Sequence, residues 1–209
     1  MTWLWLLACR PDPGDPAYPD LANPGGDDTA EDDDFLDGPV PYEDGDARLS
    51  LGLFYEGDAS ESLPVDDVTR FYYIYDSSYT QSVDVIDRVE GYQSDVLIHA
   101  GGAWWGGGVS WSSPEDLSAW TGLSISFQSS SLQDFTVRLT GGEIEGSVSV
   151  TDHGFAADGA WHHLQIPLSA FTEQGVDLTS VTAPLVLVGE TGAAGDELRV
   201  DDLYFTADE

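Results

Sequence analysis

Leu198-Arg199-Val200-Asp201-Asp202-Leu203-Tyr204-Phe205 is the stretch that decides the fold. Apolar residues alternate at Leu198 and Val200, then change parity and resume at Leu203 and Phe205. Strand side chains repeat every two residues, so a change of parity means one extra residue, a β-bulge. The bulge falls on the Asp pair and re-aims at least one carboxylate. A strand that keeps one apolar side on both flanks of a bulge belongs to a sheet with one buried face.

The same alternation recurs upstream. In Trp161-His162-His163-Leu164-Gln165-Ile166-Pro167-Leu168 the apolar positions are Leu164, Ile166 and Leu168. Leu123, Ile125 and Phe127 share one side of a run, and so do Phe135, Val137 and Leu139, with Thr136, Arg138 and Thr140 opposite. Further strands are expected over 49–55, 71–75, 93–99, 107–111, 146–151 and 185–189. Phe71, Tyr73 and Tyr75 share one face of theirs, Tyr72 and Ile74 the other. Gly, Ser, Asp and Pro clusters separate the runs, and none has a helical period; 118–121 and 168–171 read as single turns. About ten short strands suit an all-β, two-sheet antiparallel sandwich over residues 47–209.

The chain has 209 residues, of which 39 are acidic and 6 basic, for a formal net charge of −33. All the basic residues are Arg. Nucleic-acid binding begins with phosphate neutralisation, so this balance argues against nucleic acid, anionic lipid and sulfated glycans. Neutral sugars, divalent cations and basic proteins remain. Many acids lie in 10–46, a Pro-, Gly- and Asp-rich stretch that includes Asp27-Asp28-Thr29-Ala30-Glu31-Asp32-Asp33-Asp34. Such a run cannot bury a core and repels itself, so it is expected to be a disordered acidic tether. As a random coil it would reach about 35 Å.

The one cysteine, Cys9, excludes an internal disulfide. Leu6-Leu7-Ala8-Cys9 resembles a bacterial lipobox, which implies a signal-type segment over 1–9 and acylation of Cys9. The expectation is a lipid-anchored, extracytoplasmic protein on a bacterial outer membrane or cell surface, touching the membrane only through that anchor.

Gly101-Gly102-Ala103-Trp104-Trp105-Gly106-Gly107-Gly108-Val109-Ser110-Trp111 is the segment richest in chemistry. Sugars present flat C–H faces that stack on exposed aromatic rings. Adjacent Trp104 and Trp105 point to opposite sides of an extended chain, so alternation buries at most one of them. The glycines permit close approach. Trp104, Trp105, Trp111, Tyr79 and the loop residue His153 are the candidate sugar contacts. Trp120 and Trp161 read as structural.

Glu56-Gly57-Asp58-Ala59-Ser60-Glu61 has an E-x-D-x-x-E spacing, but Gly, Ala and Ser between the acids make it a loop, and the reading is non-catalytic. No G-x-S-x-G or H-E-x-x-H occurs, and neighbouring His162 and His163 face opposite ways on a strand. Glycoside hydrolysis needs two carboxylates about 5–9 Å apart on rigid elements. Glu143 and Glu145 share a strand face but have no second element opposite. Asp201 or Asp202, with Glu56, Asp58 and Glu61, could supply oxygens to Ca²⁺.

Trp104 to Ser110, Trp161 to Phe171 and Leu198 to Phe205 together resemble the galactose-binding-like jelly roll of carbohydrate-binding modules. The chain is similar to the non-catalytic domains attached to bacterial exo-glucanases and carried on cell-surface lipoproteins. The resemblance implies binding of a neutral poly- or oligosaccharide. It also implies a structural calcium joining an acid near the domain's start to the last strand, here Glu56 and Asp201. The alternative is a protein-interaction or structural lipoprotein, since the same sandwich serves protein partners.

Overall fold

The computed structural model describes residues 47–207. The segment 1–9 with Cys9 and the acidic stretch 10–46 lie outside the described residues.

Two antiparallel sheets face each other across one apolar core. The first sheet contains β1 (Ala47–Ser50), β2 (Glu61–Ser62), β4 (Tyr79–Asp84), β5 (Ser94–His99), β7 (Gly122–Gln128), β10 (Trp161–Pro167) and β12 (Glu197–Ala207). The second contains β3 (Arg70–Ile74), β6 (Trp105–Trp111), β8 (Phe135–Gly141), β9 (Ile144–Ser149) and β11 (Val181–Gly189), in the order β3-β6-β11-β8-β9. Among the described residues the one α-helical turn, α1 (Ser169–Thr172), follows β10. Apart from the short parallel pair β1–β2, the pairings are antiparallel.

Nine of the ten expected strands are present with ends shifted by a few residues; the tenth, expected over 49–55, is β1, which shares only Leu49 and Ser50 with it because the chain leaves the sheet at Leu51. Two more, β2 and β4, went unforeseen. β4 is an edge strand paired only with β5, and its residues from Thr80 to Val83 are exposed. It buries too little to leave an apolar signature.

The bulge lies where the parity change put it. Against β7, Asp201 faces Ser126 and Tyr204 faces Ser124, so three steps along β12 meet two along β7. Asp202 takes up the extra residue in the left-handed region, φ 58°. Its consequence is topological. The half of β12 before the bulge pairs with β5, and the half after it pairs with β1, while β7 runs along the other edge. Leu198, Val200, Leu203 and Phe205 all stay in the core, each fully buried.

The two outer faces differ. Around the bulge that of the first sheet is covered. Tyr55 packs on Tyr204 at 5.3 Å between ring centroids, and the Arg48 guanidinium lies 5.6 Å from the Tyr204 ring. The loop 85–93 folds over the bulge, donating the N–H groups of Val89 and Glu90 to the Asp201 carboxylate. Tyr204, Asp201, Asp202, Ser124 and Ser126 are buried although they point away from the core. The outer face of the second sheet carries exposed aromatic side chains instead.

Candidate functional site

Alternation on β6 sets the geometry. Trp105, Gly107, Val109 and Trp111 point inward, and Gly106, Gly108 and Ser110 point outward. On β3, Tyr72 and Ile74 pack on the core, which leaves Phe71 and Tyr73 outward. Phe71, Tyr75 and Trp104 are 38 %, 41 % and 39 % exposed. Tyr73 and Tyr75 meet at 4.9 Å between centroids, and Tyr75 and Trp104 at 5.9 Å. The phenol oxygens of Tyr73 and Tyr75 are 3.2 Å apart. An aromatic ribbon thus runs along β3 and onto the residue before β6. Its rings are tilted by 68° and 59° rather than coplanar, so the surface is stepped.

Glycine makes the ribbon possible. A Cβ on Gly106 would come within 3.3 Å of the Tyr75 ring edge. With only backbone beneath it, Tyr75 lies down across β6. Gly107 does the converse on the inner side, where the Tyr79 phenol occupies the place of the missing side chain. Tyr79 bonds there to the Tyr72 hydroxyl, 2.7 Å away, and burial holds its phenol far above the usual range.

Beside the ribbon, β8 and β9 supply polar groups. Arg138 donates through Nη1 to Glu145 (2.9 Å) and through Nε to Thr136 (3.1 Å). Val186 lies on this face between Gly108 and Arg138 and is only 3 % exposed. Burial, then the nearby Tyr75 and Glu145, raise the Tyr73 phenol well above its usual range, so it stays neutral and can donate. The Arg138–Glu145 pair carries no net charge. Aromatic platforms beside a fixed, neutral set of donors and acceptors suit a polyhydroxyl ligand with apolar C–H faces. Glu145 is tied to Arg138 by the ion pair.

Of the five residues expected to touch sugar, Trp104 alone is exposed on this face. Trp105, Trp111 and Tyr79 are 1 %, 4 % and 3 % exposed and belong to the core, which corrects that expectation. The reason is the inward phase of β6: Trp105 packs against Phe135 and Tyr79 and fills the space that Gly189 leaves open. His153 is half-buried in the turn after β9. Its edge of the sheet is three strand spacings, about 14 Å, from β6. Tyr73 and Tyr75 were not among the expected contacts. Their shared side with Phe71 was legible in the sequence, but which side faced the core was not.

The implied calcium pair is also placed differently. Asp201 Oδ2 accepts from the N–H groups of Val89 (2.7 Å) and Glu90 (3.3 Å), and Oδ1 from Asp202 (2.8 Å). Glu56 accepts from the N–H groups of Tyr92 and Gln93. Calcium takes about six to eight oxygen ligands, and these carboxylates are met by nitrogen donors. Among the described residues no three His, Cys, Asp or Glu side chains are grouped to hold a metal. As folded here, Glu56 and Asp201 do not fit the implied ion; they hold the 85–93 loop by themselves.

The sequence profile of a family described as carbohydrate binding domain 30 matches residues 52–207. A family 30 carbohydrate-binding module of a cellulosomal cellulase of Clostridium thermocellum superposes with a TM-score of 0.54 at 19 % identity, covering 68 % of this chain and 93 % of that one. A second crystal structure of a family 30 carbohydrate-binding module gives 0.51 at 20 % identity, covering 62 % and 75 %. At these identities the likeness concerns the fold. No curated protein matches.

Proposed function

The chain belongs to the carbohydrate-binding domain 30 family, a family of non-catalytic sugar-binding domains, and we propose that its ligand is a neutral polysaccharide laid across the outer face of the second sheet. The observation that carries this reading is the ribbon of Phe71, Tyr73, Tyr75 and Trp104 beside the Arg138–Glu145 pair, on the sheet face left open by the loops. The rings supply stacking surface for pyranose C–H faces, and Arg138, Glu145, Thr136 and the phenols read hydroxyls.

Charge narrows the ligand. A protein of net charge −33 repels uronates and sulfated polymers, so a neutral glycan is favoured. A neutral β-glucan is the first candidate, because one structural relative is a module of a cellulase. Affinity electrophoresis of the full chain through gels containing neutral glucans, xylans, mannans and galactans, with pectate and a sulfated galactan as controls, tests the reading. Retardation in at least one neutral gel, and in neither anionic gel, is expected. Free migration in all the neutral gels would favour the alternative, a protein-interaction role for the same fold.

The Leu6-Leu7-Ala8-Cys9 sequence supports a further part of the proposal: acylated Cys9 anchors the module to an extracytoplasmic membrane surface, and the acidic stretch 10–46 spaces it from the headgroups. Anchoring would set the module on the cell surface, where insoluble or soluble glycan is met from outside.

A further inference from the structure

β4 (Tyr79–Asp84) lies at an edge of the first sheet and pairs on one side only, with β5. Ala100 donates its N–H to the Ser78 carbonyl, and His99 turns its own N–H and carbonyl away, to Asp196 and Gly195. Antiparallel ladders alternate, so Thr80, Ser82 and Asp84 bond toward β5, while Tyr79, Gln81 and Val83 turn their N–H and carbonyl groups outward. Among the described residues no other strand pairs with that outer row. We propose that this edge is an interface, and that its occupant is the same edge of a second copy of the chain.

Native sheets guard free edges with charges, prolines or bulges, or cover them. This protein does so elsewhere. The Gln174 side chain takes the place of a strand beside β9, accepting from the Ser147 N–H (3.0 Å) and donating to its carbonyl (3.1 Å). On β3 the N–H groups of Asp66 and Asp67 reach the Arg70 carbonyl, and β10 ends on Pro167. β2 has only two residues. β4 has six, in an unbroken register with β5, and between Tyr79 and Val83 it carries no charge and no proline. Thr80, Gln81, Ser82 and Val83 are all exposed and uncharged, in a chain with 39 acidic residues. Val83, an apolar side chain, is 51 % exposed.

The edge is complementary to itself. With Gln81 on a two-fold axis, Gln81 faces Gln81 of the second copy, Tyr79 faces Val83, and Thr80 faces Ser82. The outward-turned residues then form three closely spaced pairs, each exchanging two N–H···O bonds. Thr80 and Ser82 meet as a hydroxyl pair, a favourable cross-strand combination. No charge faces a charge. Asp84 comes opposite Ser78, and its carboxylate is engaged within its own chain by the N–H groups of Ile86 (2.9 Å) and Asp87 (3.1 Å) and by Arg199 (3.2 Å). An uncharged edge gives a basic strand of another protein nothing to select, whereas its own copy fits it residue by residue. Opposed residues of an antiparallel pair share a face, so the two-fold axis is normal to the sheet. Both copies therefore carry their second sheet on the same side, with the two aromatic ribbons facing one way. On the sugar reading of the ribbon, one polysaccharide chain can engage both, which raises its retention without a new kind of contact.

Net charge opposes the pairing, because each copy carries −33. Salt therefore promotes it, since the screening length falls from about 10 Å at 0.1 M to about 3 Å at 1 M. The test is sedimentation velocity on the full chain without sugar, at about 1–300 μM, a range that covers micromolar dissociation constants. A reductant keeps Cys9 from cross-linking copies. A monomer–dimer equilibrium is expected, its Kd falling about tenfold or more over that rise in salt. Gln81→Glu and Gln81→Lys, both at an exposed position, put like charges face to face on the axis and should each stay folded while weakening the dimer about tenfold or more. Mixing the two variants sets Glu against Lys and should give tighter association than either alone. A parent monomeric at every salt and protein concentration, a larger assembly, variants that leave the dimer intact, or a mixture no tighter than its parts would overturn the proposal. Because sugar is absent, the result is independent of whether the ribbon binds glycan.

Discussion

Trp104→Ala separates the ribbon from the core more cleanly than any other change. Trp104 is 39 % exposed, so of the roughly 250 Å² that an indole side chain offers, about 100 Å² remains to be covered. At about 25 cal/mol per Å², full coverage contributes about 2.5 kcal/mol, and a pyranose covering one face contributes about half of that. The expected loss is therefore about 1.3 kcal/mol, or about tenfold in Kd. Tyr75→Ala gives a similar figure from its 41 % exposure, and also unpins Tyr73, whose hydroxyl it meets. Because Tyr75 and Trp104 touch, the double variant should lose less than the sum. Stability is the built-in control. Removing Trp104 forfeits its tilted contact with the Tyr75 ring, about 0.5–1.5 kcal/mol, on top of the area it already covers, but opens no cavity in the core. Trp105→Ala, one residue away, empties a core site at a cost of about 3–5 kcal/mol. Isothermal titration against the neutral glycan retained best in the gels, with thermal melts alongside, reads both effects. A folded Trp104→Ala that binds like the parent would refute the placement of the site.

Further outcomes follow from the same structure. Arg138→Met should weaken glycan binding about tenfold or more, since hydrogen bonds to charged groups are worth about 1.5–3 kcal/mol; Arg138→Lys should restore only part, because Lys lacks the fork that bonds Glu145 and Thr136 together. Stability should fall as pH rises from about 5 to about 8. Burial pushes Asp201 up to about 7 and raises Glu90 and Asp95, so the folded state keeps protons that the unfolded chain has lost above about pH 4. Melting temperatures that climb steadily over that range would contradict this, and Asp201→Asn should flatten the slope. Below about pH 4 the trend should reverse, as Asp84, Asp116 and Asp158, held low by hydrogen bonds, gain protons. A chelator should leave the melting temperature unchanged, because Glu56 and Asp201 are occupied by N–H donors; a fall reversed by calcium would show that the implied ion binds after all. Growth with a labelled fatty acid should label the full chain, and Cys9→Ser should abolish the label.

The sandwich was legible because alternation is a strong signal wherever one side of a strand is buried. Leu123, Ile125 and Phe127 declare their face, and the broken parity at Asp201-Asp202 marks the bulge in the residues themselves. β4 was not legible, because an edge strand with four exposed residues has no alternation to show. The site was half legible. Neighbouring Trp104 and Trp105 had to point apart, but phase alone did not say which would be inside. That was settled by Gly107 and Gly189, whose missing side chains make room on the inner side for Tyr79 and Trp105. The Tyr73–Tyr75 ribbon needed the pairing of β3 with β6, a contact between residues some 35 positions apart that composition does not encode. The acidic residues alone suggested calcium and resemblance singled out Glu56 and Asp201, but both are spent on a loop whose place over the bulge no local pattern announces.

The most direct measurement is an NMR map of the amide signals moved by a saturating neutral oligosaccharide that the chain retains. Shifts are predicted along β3, the start of β6 and the facing positions of β8 and β9, centred on Tyr73, Tyr75, Trp104 and Arg138. Shifts confined to other surfaces, with that face silent, would contradict a sugar site on the aromatic ribbon.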